Sequence, residues 1–166
     1  MFEKGETVYY GTAGVCKVSD ICRSPFDKKD DRMFYVLEPH DFDNGTIIYA
    51  PMENSQVVLR AIMPCEQASL LLESFSELEP IEVLNEKHRR EEYRSALRTG
   101  TAQSIARIIK TVHIRRSAAI KAQKKVSDTD TEFDKLARKA LLGELSVSLG
   151  KTYDEVEHIL NAALRK

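Results

Sequence analysis

The first 62 residues carry apolar side chains in short runs broken by turn residues. Thr7-Val8-Tyr9-Tyr10 is β-branched and aromatic, and Gly11 and Gly14 bracket a tight turn behind it. Val15-Cys16-Lys17-Val18-Ser19-Asp20-Ile21 follows, with Lys17 and Ser19 among apolar neighbours, and Phe34-Tyr35-Val36-Leu37 is a third run. Thr46-Ile47-Ile48-Tyr49-Ala50 is a fourth, entered through Asp43-Asn44-Gly45, whose Asn-Gly pair is a strong turn signal. Val57-Val58-Leu59-Arg60 is a short fifth. Five short strands with Gly and Asn turns predict a small twisted barrel, and SH3-like and OB-like barrels both fit. The polar stretch from Ser24 to Arg32 reads as an exposed loop, and Pro51 either ends the fourth strand or sits at an edge.

From Pro64 onward the apolar period becomes helical. Leu70, Leu71, Leu72 and Phe75 fall in a first, acidic helix that ends before Pro80. A second, Arg-rich helix spans about Val83 to Arg98 and closes at Gly100. A third runs from about Ala102 to Lys124, with Ile105, Ile108, Ile109 and Val112 on one face. The fourth opens at Thr129-Asp130-Thr131-Glu132, which has capping-box spacing. It carries Phe133, Leu136, Ala137, Ala140, Leu141 and Leu145 as a stripe, and Gly150 ends it. Thr152-Tyr153-Asp154-Glu155 caps a fifth, with Val156, Ile159, Leu160, Ala163 and Leu164 as its stripe. The fold expected is α+β: a five-stranded barrel over 1–63 and a five-helix domain over 64–166.

Charge divides the chain differently. The net charge of −1 hides a segment, 84–126, with twelve Lys/Arg against three Glu. The rest of the chain is acidic, so this segment is expected to seek an anion, and nucleic acid is the usual one. Arg90, Arg94 and Arg98 make an i+4 stripe on the second helix, beside Lys87 and Arg89. Arg107, Lys110, Arg115, Arg116, Lys121, Lys124 and Lys125 follow on and after the third. The nucleic-acid candidates are Lys87, Arg89, Arg90, Arg94, Arg98, Arg115, Arg116, Lys124 and Lys125. The alternative is a solvated face with Glu86–Arg90 and Glu91–Arg94 pairs, but the local excess leaves most cations without a partner.

Catalytic signals are missing from the sequence. It contains no phosphate-binding Gly loop, no G-x-S-x-G and no H-E-x-x-H. The acidic pairs Asp30-Asp31 and Glu91-Glu92 are consecutive and do not converge on one atom. Three cysteines (Cys16, Cys22, Cys65), none in C-x-x-C, and four dispersed histidines argue against a disulfide framework or a zinc site. The expectation is a protein with no catalytic residues, no metal and no cofactor. Met1–Gly5 has neither a basic nor an apolar signal region, and no membrane-length apolar run occurs, so the expected compartment is the cytoplasm.

The fourth run is apolar on consecutive positions. Such a strand is either buried on both faces or an edge that accepts another strand, and Pro51 beside it favours the edge.

Four motifs, in order, resemble the CarD family of bacterial transcription regulators. They are Lys4-Gly5-Glu6-Thr7-Val8-Tyr9-Tyr10 with Gly14-Val15, Phe34-Tyr35-Val36-Leu37, Thr46-Ile47-Ile48-Tyr49-Ala50-Pro51-Met52-Glu53-Asn54, and Ala137-Arg138-Lys139-Ala140-Leu141-Leu142-Gly143-Glu144-Leu145. The resemblance implies a Tudor-like barrel related to the polymerase-interacting domain of the transcription–repair coupling factor, with no helicase motifs after it. It implies binding to the RNA polymerase β subunit by strand addition at Thr46, Ile47, Ile48, Tyr49 and Pro51. It implies a helical domain that contacts promoter DNA at the upstream edge of the transcription bubble and stabilises the open complex. In some relatives arginines help bind polymerase; one such position falls at Tyr49, the other at or next to Arg23-Ser24. The family usually has a Trp near the start of the second helix as a minor-groove wedge. This chain has no Trp, and alignment on Gly100 puts Glu86 there. A monomer is expected, with self-pairing of the edge strand as the hazard such edges carry. Two further readings stand beside this one: a polymerase-bound adaptor without DNA contact, and a nucleic-acid-binding protein independent of polymerase.

Overall fold

The computed structural model describes residues 1–40, 45–54 and 56–166, which fall into two compact units, Met1–Ile62 and Met63–Lys166. Asp43 and Asn44 of the expected hairpin turn lie outside the described residues.

The first unit is an antiparallel sheet of β1 (Thr7–Tyr10), β2 (Gly14–Arg23), β3 (Met33–Pro39), β4 (Ile48–Pro51) and β5 (Leu59–Ala61). The strand order is β4-β3-β2-β1-β5. The turn after β1 needs glycine. Gly11 has φ +44°, and a Cβ there would lie 2.5 Å from Val57 Cγ1. β2 shifts register between Val18 and Asp20, and Ser19 at this bulge donates its hydroxyl to the Val36 carbonyl at 3.1 Å. One face carries the core of Val8, Cys16, Val18, Tyr35, Leu37 and Ala50. Cys16 is buried there, its thiol donating to the Gly14 carbonyl at 3.7 Å; Cys22 and Cys65 are free cysteines.

β4 begins later than expected, so Thr46 and Ile47 precede it, and Pro51 lies inside it.

The second unit contains α1 (Cys65–Glu73), α2 (Arg89–Thr99), α3 (Ala102–Lys121), α4 (Asp128–Leu149) and α5 (Tyr153–Leu164). Several boundaries correct the sequence expectation, each through a local hydrogen bond. The stretch expected to start the second helix is non-helical as far as Asn85, whose side chain accepts from Lys87 N at 2.9 Å. A one-turn 3-10 segment, Glu86–His88, then leads into α2. α3 ends at Lys121 because the chain turns left-handed at Gln123 (φ 54°). Ser127, not Thr129, caps α4, its hydroxyl accepting from Asp130 N at 3.4 Å. This leaves the Asp130 carboxylate free to turn inward. Thr152 and Glu155 form the capping box of α5. The hydrogen bond that the Thr152 backbone N–H donates to Glu155 holds its carboxyl below the ordinary value.

α3 and α4 pack against each other, and Ile105, Ile108, Ile109 and Val112 of α3 and Phe133, Ala137, Leu141 and Leu145 of α4 are all buried. Leu70 and Leu136 are exposed, although both belong to the apolar runs of the sequence. No helix is long and apolar enough to cross a membrane among the described residues.

Candidate docking edge and nucleic-acid interface

β4 is an edge strand, paired on one side with β3. Its register fixes which backbone groups are free. Met52 N–H donates to the Met33 carbonyl at 2.9 Å. In antiparallel alternation, Ala50 with Tyr35 and Ile48 with Leu37 are then the hydrogen-bonded pairs. Tyr49, opposite Val36, and Pro51, opposite Phe34, turn their backbone polar groups away from β3. Pro51 is tolerated inside the strand for this reason: its missing N–H lies on the outward side.

The two faces of β4 differ. Ala50 enters the core, with Ile48 and Met52 packed against it. Tyr49 lies on the other face with Phe34, and there Phe26 folds back from the β2–β3 loop. The Phe26 ring stands edge-on to Phe34 at 5.9 Å and to Tyr49 at 5.7 Å, yet is 74% exposed. The sequence shows this loop only as polar; its lone aromatic was the available signal. The loop is braced by Arg32, which forms a bidentate pair with Asp30 and sits 5.9 Å over Phe34. Hydrogen bonding to Arg32 holds the Asp30 carboxyl at about 2. Arg23, at the end of β2, is exposed and reaches Asp31 at 3.4 Å.

In the helical unit the expectation that most cations lack partners is corrected. α4 supplies the missing acids. Asp130 is buried and gathers Arg89 (Nε at 3.1 Å), Arg115 (Nε at 3.0 Å) and the Tyr93 hydroxyl, which donates at 2.9 Å. Burial, with the Asp130 bond second, pushes the Tyr93 phenol well above its ordinary value. Glu86 lies outside this cluster, accepts both Arg115 Nη groups at 2.9 and 3.0 Å, and also pairs with Arg89. Arg90 makes a bidentate pair with Glu132 and stacks over Phe133. Arg116 lies 3.5 Å from Asp134, which also takes Arg138. Arg107 and Lys110 donate to carbonyls of Glu79, Pro80 and Ser76 and fasten the segment after α1.

What remains on the surface is narrower. Arg94 and Arg98 share Glu91 at 3.8 and 3.1 Å and are well exposed. Lys125 pairs with Asp128 at 3.2 Å. Among the described residues no ion pair holds Lys87, Lys121 or Lys124. The candidates thus split: Arg89 and Arg115 tie α2, α3 and α4 together, while Lys87, Arg94, Arg98 and Lys124 face water. No group of three potential metal-ligating side chains occurs among the described residues.

An open-edged sheet with aromatic rings beside the edge, followed by a helical unit with an arginine-rich surface, defines a two-module binding protein. The CarD-like/TRCF RID domain model matches residues 2–63, and the CarD C-terminal domain model matches residues 71–161. The chain belongs to the CarD family of RNA polymerase-interacting transcription regulators. A comparison with curated protein sequences finds no match.

Proposed function

We propose that this chain binds the RNA polymerase β subunit by adding a β-subunit strand to β4, and contacts promoter DNA through its helical unit, shifting open-complex stability. The outward-facing Tyr49 backbone on edge strand β4 carries this reading. Main-chain pairing supplies the affinity, and Thr46, Ile47, Ile48, Pro51 and Arg23 frame the contact. Arg94, Arg98, Lys87 and Lys124 are the cations best exposed for phosphates. The protein needs no catalysis: favouring the open over the closed complex by about 1–3 kcal/mol changes occupancy roughly 5–150-fold. It acts in the cytoplasm, on the nucleoid through polymerase, as a monomer whose edge is left for the polymerase.

A second reading has its own support: a polymerase-bound adaptor without DNA contact. The engagement of Arg89, Arg90, Arg115 and Arg116 by acids of the same unit favours it. Tyr49→Pro tests the first step, because it removes an outward N–H and leaves the β3 ladder intact. Loss of binding to the polymerase β lobe, with the fold retained, is the expected result. Native-level binding by Tyr49→Pro would overturn strand addition. Salt separates the two readings: DNA contact weakens steeply between about 50 and 200 mM salt, and the adaptor shows no DNA binding at either.

A further inference from the structure

Two guanidinium groups converge on one exposed carboxylate. Arg115 grips Glu86 through both Nη atoms, at 2.9 and 3.0 Å, and Arg89 reaches the same Glu86 oxygen as Arg115 Nη2. Both arginines turn their inner side to Asp130, Arg115 through a hydrogen bond and Arg89 through an ion pair. Asp130, with 3% of its side chain exposed, takes Arg115 Nε at 3.0 Å and lies 3.1 Å from Arg89 Nε. Arg89 is further held by Ser127, whose hydroxyl accepts from Nη2 at 2.7 Å. Arg115 therefore holds both Nη groups toward Glu86, and Arg89 adds Nη1 while Ser127 keeps its Nη2. Three guanidinium nitrogens converging this way suit a carboxylate or a phosphate group equally.

The members of the cluster differ in freedom. Asp130 is enclosed and cannot leave. Glu86 is 62% exposed and sits in a one-turn 3-10 segment, so its side chain can swing into water without moving a helix. With Glu86 in place, two arginines face two carboxylates and the site is neutral. With Glu86 swung away, it carries one net positive charge at the start of the basic helix.

We propose that Arg89 and Arg115 form a phosphate fork that the chain keeps closed with its own Glu86, and that a DNA backbone phosphate takes the carboxylate's place. No bond is made or broken; one anion replaces another. Glu86 thereby sets a threshold for DNA contact. Duplex held close by the polymerase complex displaces it, and free duplex competes poorly. This inference rests on the DNA-contact reading above.

The test uses the full chain and a short fluorescent duplex, with affinity measured by anisotropy across about 50–200 mM salt. Glu86→Gln keeps the size of the side chain and removes its charge. It is expected to bind roughly three- to tenfold tighter than the native chain at the low-salt end, with a log–log salt slope steeper by about one, the value of one added phosphate contact. Glu92→Gln removes one charge from an exposed α2 position that has no ion pair among the described residues, and is expected to leave the slope unchanged. Adding Arg115→Lys to Glu86→Gln keeps the charge, loses the fork and should cancel most of the gain. Circular dichroism and the thermal midpoint verify the fold of each variant. An unchanged slope in Glu86→Gln, or equal gains in Glu86→Gln and Glu92→Gln, would overturn the fork while native binding still upholds the DNA reading. Absence of binding by every variant at low salt would overturn both.

Discussion

The buried carboxylate of Glu144 accepts a hydrogen bond from the Met63 backbone N–H at 2.9 Å. One turn further along α4, Ser148 donates its hydroxyl to the Met63 carbonyl at 2.7 Å. Met63 belongs to no helix or strand, so these two side chains satisfy backbone groups that no ladder satisfies. Glu144→Ala is expected to cost about 2–4 kcal/mol, the sum of an orphaned N–H and a cavity. Ser148→Ala should cost about 1 kcal/mol. Glu144→Gln keeps an acceptor and should fall between. Urea unfolding monitored by circular dichroism measures all three, and a Glu144→Ala loss below about 1 kcal/mol would contradict the clamp.

Asp130 makes the second prediction. Its removal leaves Arg89, with only 12% of its side chain exposed, and Arg115 without the buried carboxylate they share. Asp130→Ala is expected to destabilise by about 3 kcal/mol or more, as breaking a buried pair does. Arg94→Ala and Arg98→Ala should change stability by less than about 1 kcal/mol, because their pairs with Glu91 are exposed. Those two variants should still weaken DNA binding. Thermal melts and anisotropy on the same samples separate the loss of a buried anchor from the loss of exposed phosphate contacts.

The five short strands and the five helices were legible in the sequence, because period and turn residues encode them locally; the strand order was not. The state of the cations was not. Arg89 and Arg115 look free when counted within 84–126, since their anchor Asp130 comes from the next segment. A signal did exist: Asp130 stands three residues before Phe133, and Glu144 three after Leu141, so each carboxylate shares the buried stripe of α4. A carboxylate on an apolar stripe has to be paired, and its partners are the cations of neighbouring helices. Phe26 was equally hidden, because its packing depends on how the loop folds back over Phe34 and Tyr49.

His113 gives a pH dependence. Burial first, then the positive charges of Arg138, Lys110 and Arg116, lower its pKa in the folded chain, with Asp134 opposing. The folded protein thus prefers the neutral ring. Its contribution to stability is complete above the ordinary value of 6.5 and is lost as pH falls from there through the folded pKa. The thermal midpoint of the native chain should drop over that window. His113→Gln, which stays neutral, should show a shallower drop, and identical pH profiles for the two chains would refute the assignment.

Phe26 provides the last prediction, on the polymerase side. A strand added to β4 sets the residue opposite Tyr49 on the Tyr49 face, because paired residues share a face. That face is where Phe26 stands, largely in water, against Phe34 and Tyr49. A mostly exposed ring contributes little to folding, so Phe26→Ser should shift stability by no more than about 1 kcal/mol. Burying the ring against an apolar side chain of the added strand contributes to binding, on the order of 1–2 kcal/mol. Phe26→Ser is therefore expected to weaken binding to the β lobe roughly 5- to 30-fold with the melt nearly unchanged. Tyr49→Pro should abolish it, because the backbone pairing itself is lost. Unchanged affinity in Phe26→Ser beside lost affinity in Tyr49→Pro would exclude the Phe26 ring from the contact. A large drop in the melting midpoint of Phe26→Ser would instead make the three rings a local core.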